Sequence, residues 1–209
     1  MKQKKARSND SMKGLYPVAV LISGSGSTLK NLIELRDRGT LKVDFRLVVS
    51  SKKEAGGLKF AEAASIPTVI VPKKKTQTAE EHSENVFGPI RQAGVQLVVM
   101  GGYIQHVLIP SDFENRVINI HPSLIPSFSG KGMYGLRVHQ AAIDFGVMVS
   151  GCTVHFVDNE YDHGPIILQR TCDVLTTDSA ESLQRRVFEL ECIALPDAIR
   201  QIAARQSGP

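Results

Sequence analysis

The sequence predicts an α/β fold of Rossmann-like type: a mostly parallel sheet flanked by helices, with an antiparallel strand addition toward the C-terminus. Three observations carry this. Short apolar runs alternate with amphipathic stretches along most of the chain, a pattern that demands right-handed crossovers and a sheet covered on both faces. A loop of glycine and serine, "SGSGSTLKN" at 23–31, separates the first apolar run from the first amphipathic one. Two β-rich runs near the C-terminus are divided only by a short Gly-containing turn, the spacing of an antiparallel pair.

Taken in order, "YPVAVLIS" (16–23) reads as a buried strand and "TLKNLIELRDRG" (28–39) as a helix stopped by Gly39. A strand at 43–50, a helix at 54–65 and a strand at 67–72 follow. The helix at 79–94 is disturbed by Pro89, and "VQLVVMGG" (95–102) is the next strand. "RVINI" (116–120) is a further parallel strand, and a helix lies near 136–146. The runs 149–158 and 165–174 form the antiparallel pair. A last helix, 179–205, is expected to break or kink at Pro196, which has no N–H to give.

Bulk properties narrow the function classes. At 209 residues, 42% hydrophobic and 22% charged, the chain suits one soluble domain over 17–205. A basic tail, 1–16, is expected to be disordered, and 206–209 forms a second tail. No apolar stretch nears the ~20 residues that cross a bilayer, so no membrane partner is expected. The basic N-terminus lacks the apolar segment of a secretory signal. One short basic run is too little to predict a nucleic-acid partner. The net charge of +4 suits an anionic small molecule. Cys152, Cys172 and Cys192 are odd in number and widely spaced, which points to a reducing, cytoplasmic setting and away from disulfides and zinc. The six histidines show no H-x-x-x-H or H-E-x-x-H spacing, so no metal is expected. Oligomeric state is left open, and a homodimer is compatible with the sequence.

The glycine loop fails two specific tests. A Walker loop needs Gly-Lys-Ser/Thr, and Gly26 is followed by Ser27 and Thr28. A dinucleotide fingerprint needs a third glycine where Leu29 stands, and an acid near "VVSSKK". A single phosphate on a smaller ligand, held by Gly26, Ser27 and Thr28 at a helix N-terminus, fits better. A tight turn without a ligand is the alternative.

"VINIHPSLIPSFSGKG" (117–132) poses a sharper question, because an amide and an imidazole stand two residues apart at the end of a buried strand. Asn119 and His121 share a strand face at the carboxyl edge, where open α/β sheets bind ligands. Together they could polarise a carbonyl and stabilise an oxyanion, or they could only fix the following loop. A second cluster, "TVHFVDNEYDHGP", puts Thr153 and His155 on one face and leads to Asp162. A carboxylate beside His121 would favour the protonated ring. Asp162 could equally serve only the turn.

These stretches resemble the folate-dependent phosphoribosylglycinamide formyltransferases. The resemblance runs from about Pro17 to Ala204 through four motifs in order: "VAVLISGSGSTL", "NIHPSLIPSF", "GCTVHFVDNEYDHGPIILQ" and "ELECIALP". It implies formyl transfer from 10-formyltetrahydrofolate to the amine of glycinamide ribonucleotide in purine biosynthesis, without metal. The implied catalytic residues are Asn119, His121 and Asp162. The implied ribonucleotide residues are Gly26, Ser27, Thr28 and Glu191, whose carboxyl would hold the glycinamide end. Ile104, Gln105, His106 and Val107 would contact formylfolate, joined by Asn119, Asp158 and Asp162, with the 158–162 turn over the pterin. Thr153 and His155 would support them. Thr28 stands where many relatives carry Asn, and Gln105 where many carry Arg. The arginine some relatives have near 79 is missing. Other readings are a formyltetrahydrofolate hydrolase, a methionyl-tRNA formyltransferase, or a folate- or phosphoribosyl-binding relative without catalysis. The first two are expected to carry an additional domain.

Overall fold

Apolar runs within Tyr16–Ile22, Val43–Ser50 and Leu97–Met100 leave no face for water, so the chain folds them into the middle of a sheet. The structure is a computed structural model and describes residues 14–206. Its elements in order are β1 (Tyr16–Ile22), α1 (Ser27–Asp37), β2 (Val43–Ser50), α2 (Leu58–Ala63), β3 (Thr68–Ile70), α3 (Ala79–Gln92), β4 (Leu97–Met100), a 3-10 turn (Ser111–Phe113), β5 (Val117–His121), α4 (Leu136–Phe145), β6 (Val149–Phe156), β7 (Ile166–Asp173) and α5 (Ala180–Gln206). The strands form one sheet in the order β3-β2-β1-β4-β5-β6-β7. β1 to β5 pair in parallel, whereas β6 runs antiparallel to β5 and β7 to β6. This is the predicted fold class.

The period of two sorts the strand residues into two cores. Val18, Val20 and Ile22 of β1, Ile118 and Ile120 of β5, and Val154 of β6 join buried residues of α1 and α5 on one face. Ala19, Leu21, Val49, Val98 and Val117 join Val86, Phe87 and Ile90 of α3 on the other. Thr78 caps α3 reciprocally: its hydroxyl accepts from the Glu81 N–H, and the Glu81 carboxylate accepts from the Thr78 N–H.

Several boundaries differ from expectation. The helix expected over 54–65 is confined to 58–63, because the preceding loop is pressed against the glycine loop. Gly26 has φ 76°, and a Cβ on it would lie 2.2 Å from the Gly57 Cα. The strand at 67–72 shrinks to Thr68–Ile70 at the sheet edge, where it has one neighbour. Neither proline ends its helix. α3 continues through Pro89, where the carbonyl that loses a donor belongs to exposed Asn85. α5 continues through Pro196, which is buried. There the orphaned Cys192 carbonyl accepts from Asn31 Nδ2 at 2.9 Å.

The expected tail over 1–16 lies outside the described residues up to position 13, and 207–209 lie outside them as well. Tyr16, the last residue of that expected tail, instead begins β1. Its hydroxyl donates to Gln206 Oε1 at 2.7 Å, so the start of the sheet and the end of α5 meet.

Candidate active site

β5 ends at His121, and its alternation sends Asn119 and His121 away from the core that takes Ile118 and Ile120. The antiparallel register places Asn119 opposite His155 and His121 opposite Thr153, so all four share one face. Asn119 Nδ2 donates to His155 Nε2 at 3.3 Å, while His155 Nδ1 donates to the Phe156 carbonyl at 2.8 Å. A carbonyl can only accept, so these partners assign the proton of a neutral His155 to Nδ1. Burial pulls the His155 pKa down and favours that neutral ring.

Thr153 braces the turn that follows His121. Its hydroxyl donates to the Ser123 carbonyl at 2.7 Å and accepts from the Ile125 N–H at 3.1 Å and from Gln169 Nε2 at 2.9 Å. Every valence of that oxygen is filled within the protein.

Asp162 arrives from the turn between β6 and β7, with a left-handed φ of 52°. Its carboxylate lies 3.4 Å from His121 Nδ1 and 3.8 Å from His155 Nε2, and it accepts from the Gly130 N–H at 2.9 Å. His121 is 4% exposed and donates through Nε2 to the Phe128 carbonyl at 2.9 Å. The ring thus has an oxygen near each nitrogen. Behind it stands His139 of α4, which sequence reasoning missed. Burial first, and the nearby His121 second, push its pKa down to about 4. The available signal was its position three residues before buried Ala142, on the core face of the helix.

Beside this cluster, a cavity of about 90 Å³ is lined by the 103–107 segment, Asn119, His155 and the 158–162 turn. The Ile104 N–H donates to Ser23 Oγ at 3.1 Å, tying the segment to the end of β1. Val107 is buried in the second core, so its side chain serves packing. The His106 ring packs on Tyr161 with centroids 4.9 Å apart, and Asn159 Oδ1 accepts from the Ile109 N–H at 2.8 Å. Asp158 organises the turn, accepting from the Glu160 N–H at 2.8 Å and pairing with His163 Nδ1 at 2.7 Å. Gln105 Oε1 and the Tyr103 hydroxyl are buried without partners, and burial pushes the Tyr103 pKa up to about 12.

The glycine loop opens α1 at the same edge of the sheet. The Lys30 N–H closes the first turn on the Gly26 carbonyl at 2.9 Å, leaving the N–H groups of Ser27, Thr28 and Leu29 without intrahelical acceptors. No side chain caps this end. Those free donors and the helix dipole suit an anion. Glu191 projects from α5, half-buried, and burial pushes its carboxyl up to about 8. Burial first and Glu191 second push up the thiol pKa of Cys152, which faces the core on the side of β6 opposite Thr153 and His155. The structure therefore gathers Asn119, His121, Thr153, His155 and Asp162 into one cluster and sets Glu191 on the face that α1 and α5 cover.

A larger cavity, about 520 Å³, lies at the opposite end of the sheet between Tyr16, Lys42, Gln96 and Arg200. It contains none of these groups. Convergent polar chemistry, not size, marks the site. Among the described residues, no group of three or more His, Cys, Asp or Glu could hold a metal ion, and no helix is long and apolar enough to cross a membrane.

A family model described as formyl transferase matches residues 16–199. A curated phosphoribosylglycinamide formyltransferase of Vigna unguiculata, described as chloroplastic, is 40% identical over 178 residues, covering 83% of this chain and 56% of the relative. A trifunctional purine biosynthetic protein of Gallus gallus is 38% identical over 189 residues, covering 90% of this chain but 18% of the relative. The chain thus spans little more than half of the first relative and a small part of the second. Among solved structures, glycinamide ribonucleotide transformylase 1 of Symbiobacterium toebii superimposes with a TM-score of 0.84 at 35% identity, covering 92% of this chain and 89% of that one.

Proposed function

The chain belongs to the formyl transferase family, and from that premise we propose that it transfers the formyl group of 10-formyltetrahydrofolate to the amine of glycinamide ribonucleotide. One observation carries the reading: Asn119, His121 and Asp162, brought from segments forty residues apart, converge beside a cleft at the edge where the α1 anion loop also opens.

In this reading the ribonucleotide phosphate sits on Gly26, Ser27 and Thr28, and Glu191 takes the glycinamide end. Formylfolate lies along Ile104, Gln105, His106 and Val107, with the 158–162 turn over its pterin. Asp158 shapes that turn. The amine attacks the formyl carbon directly, forming a new C–N bond while the formyl oxygen gains charge. Asn119 Nδ2 has a second N–H beyond the one given to His155, and it donates to that oxygen together with protonated His121. Donors of this kind contribute ~2.7–4 kcal/mol each to the transition state. Collapse breaks the bond to folate N10, and the proton lost by the amine passes to N10, with Asp162 balancing the His121 charge throughout. His155 and Thr153 hold the row in register. His121 Nε2 is engaged by the Phe128 carbonyl, so the 126–130 turn gives way before that nitrogen serves the formyl oxygen.

The reading extends to a single working domain over 17–205, a homodimer and a cytoplasmic setting. Exposed Phe145, Met148 and Val149, at the end of α4 and the start of β6, support self-association. Three free cysteines suit a reducing compartment. Light scattering on the eluted protein tests the dimer.

The deciding experiment is a spectrophotometric assay with 10-formyltetrahydrofolate, with and without glycinamide ribonucleotide. Deformylation that requires the ribonucleotide is expected. Deformylation without it would make the protein a hydrolase, and binding without reaction would make it a non-catalytic relative.

A further inference from the structure

The bond between Asn31 and the Cys192 carbonyl does more than repair a helix. Proline at 196 withdraws the donor that the Cys192 carbonyl would otherwise receive, and a side chain 161 residues earlier replaces it at 2.9 Å. Asn31 stands one turn into α1, three residues after Thr28 of the loop. Cys192 is the neighbour of Glu191. One hydrogen bond therefore links the helix that opens at the anion loop to the segment that carries the buried carboxyl. Both helices bury apolar residues in the same core, Leu29 and Leu32 from α1 and Leu195 and Ile199 from α5. Apolar contact alone is non-directional, whereas a donor and acceptor at fixed positions set rotation and register.

We propose that Asn31 is a positioning residue for the ribonucleotide: it fixes the spacing between the Gly26–Thr28 loop and Glu191, so that one ligand engages both. The inference rests on the function proposed above and names a residue to which that reading gives no part. A bare helix repair would need only some donor for the Cys192 carbonyl. A positioning role needs that donor to come from α1.

The two roles separate in a double variant. In Asn31→Ala the carbonyl loses its partner, whereas in Asn31→Ala/Pro196→Ala the alanine N–H at 196 restores a helical donor without the cross-link. Asn31→Ala is expected to raise KM for glycinamide ribonucleotide about tenfold, the scale of one hydrogen bond. KM for 10-formyltetrahydrofolate and kcat should stay within about twofold, since their residues lie on the other face of the sheet. The double variant should recover the melting temperature but keep the raised KM, and calorimetric titration with the ribonucleotide should show the same loss of affinity. An unchanged KM in Asn31→Ala, or a KM that recovers with the melting temperature in the double variant, overturns the proposal. Parent enzyme that shows no ribonucleotide-dependent turnover, and no calorimetric signal with the ribonucleotide, overturns the functional reading itself.

Discussion

β5 and β6 lie side by side and present polar residues to one face, yet the two rows are built for opposite purposes. On β6, Thr153 and His155 have their hydrogen-bonding capacity consumed by the protein, Thr153 by Ser123, Ile125 and Gln169, and His155 by Phe156 and Asn119. On β5, Asn119 keeps a free N–H, and His121 is held by a carbonyl on a turn and a carboxylate. One row braces, and the proposed function has the other act. Asn119 is left incompletely satisfied, and the fully satisfied row beside it keeps its geometry from relaxing.

The largest test of that contrast is His121→Ala. In the acting row it should lower kcat by ~10²–10³-fold, the range for loss of one oxyanion donor, with formylfolate affinity by calorimetry retained. An equal collapse of affinity would make His121 a brace. The opposite signature is expected for Thr153→Val, which should lose ~1–3 kcal/mol of stability in denaturant titration, because Ser123, Ile125 and Gln169 all forfeit a partner. Its kcat should fall far less than that of His121→Ala.

Glu191, a proposed ribonucleotide contact whose carboxyl pKa is pushed up by burial, sharpens the comparison. Its folded pKa, pushed up to about 8 from 4.5, means that its stability contribution is full below pH 4.5 and lost as pH rises through 8. Glu191→Gln escapes that loss. Its melting temperature should match the parent near pH 4 and exceed it by a growing margin up to pH 8, while its KM for the ribonucleotide rises. A margin that shrinks with pH would contradict the buried, neutral carboxyl. The smallest effect belongs to Thr78→Ala, remote from both rows. Removing half of the reciprocal cap on α3 should lower stability by ~1 kcal/mol without changing kcat.

Runs such as "VAVLIS" announced the parallel strands because both of their faces are buried, and a strand buried twice needs no alternation. Asn119 and His121 were legible for the opposite reason, as polar residues breaking an apolar run at the edge where ligands gather. Asp162 was not placeable from its own surroundings. Its partner His121 lies on the far side of α4 and β6 in the chain, and only the resemblance to a family suggested the pairing. The same limit explains the prolines. Whether Pro196 ends a helix depends on a side chain in α1, and no local pattern records that Asn31 will be waiting there. His139 stayed hidden because a histidine on a core-facing helix position looks like packing until its neighbour across the core is known.

The meeting of Tyr16 and Gln206 has a consequence of another kind. β1 and α5 come together at the amino edge of the sheet, where the 520 Å³ cavity lies, and the Asn119–His121–Asp162 cluster lies toward the carboxyl edge. The two ends of the described sheet and helix therefore meet away from Asn119, His121 and Asp162. In the trifunctional relative the matching stretch is 18% of the length. The same adjacency lets a short linker join the two ends and move the chain's openings to a surface loop, a circular permutation that the sheet should tolerate.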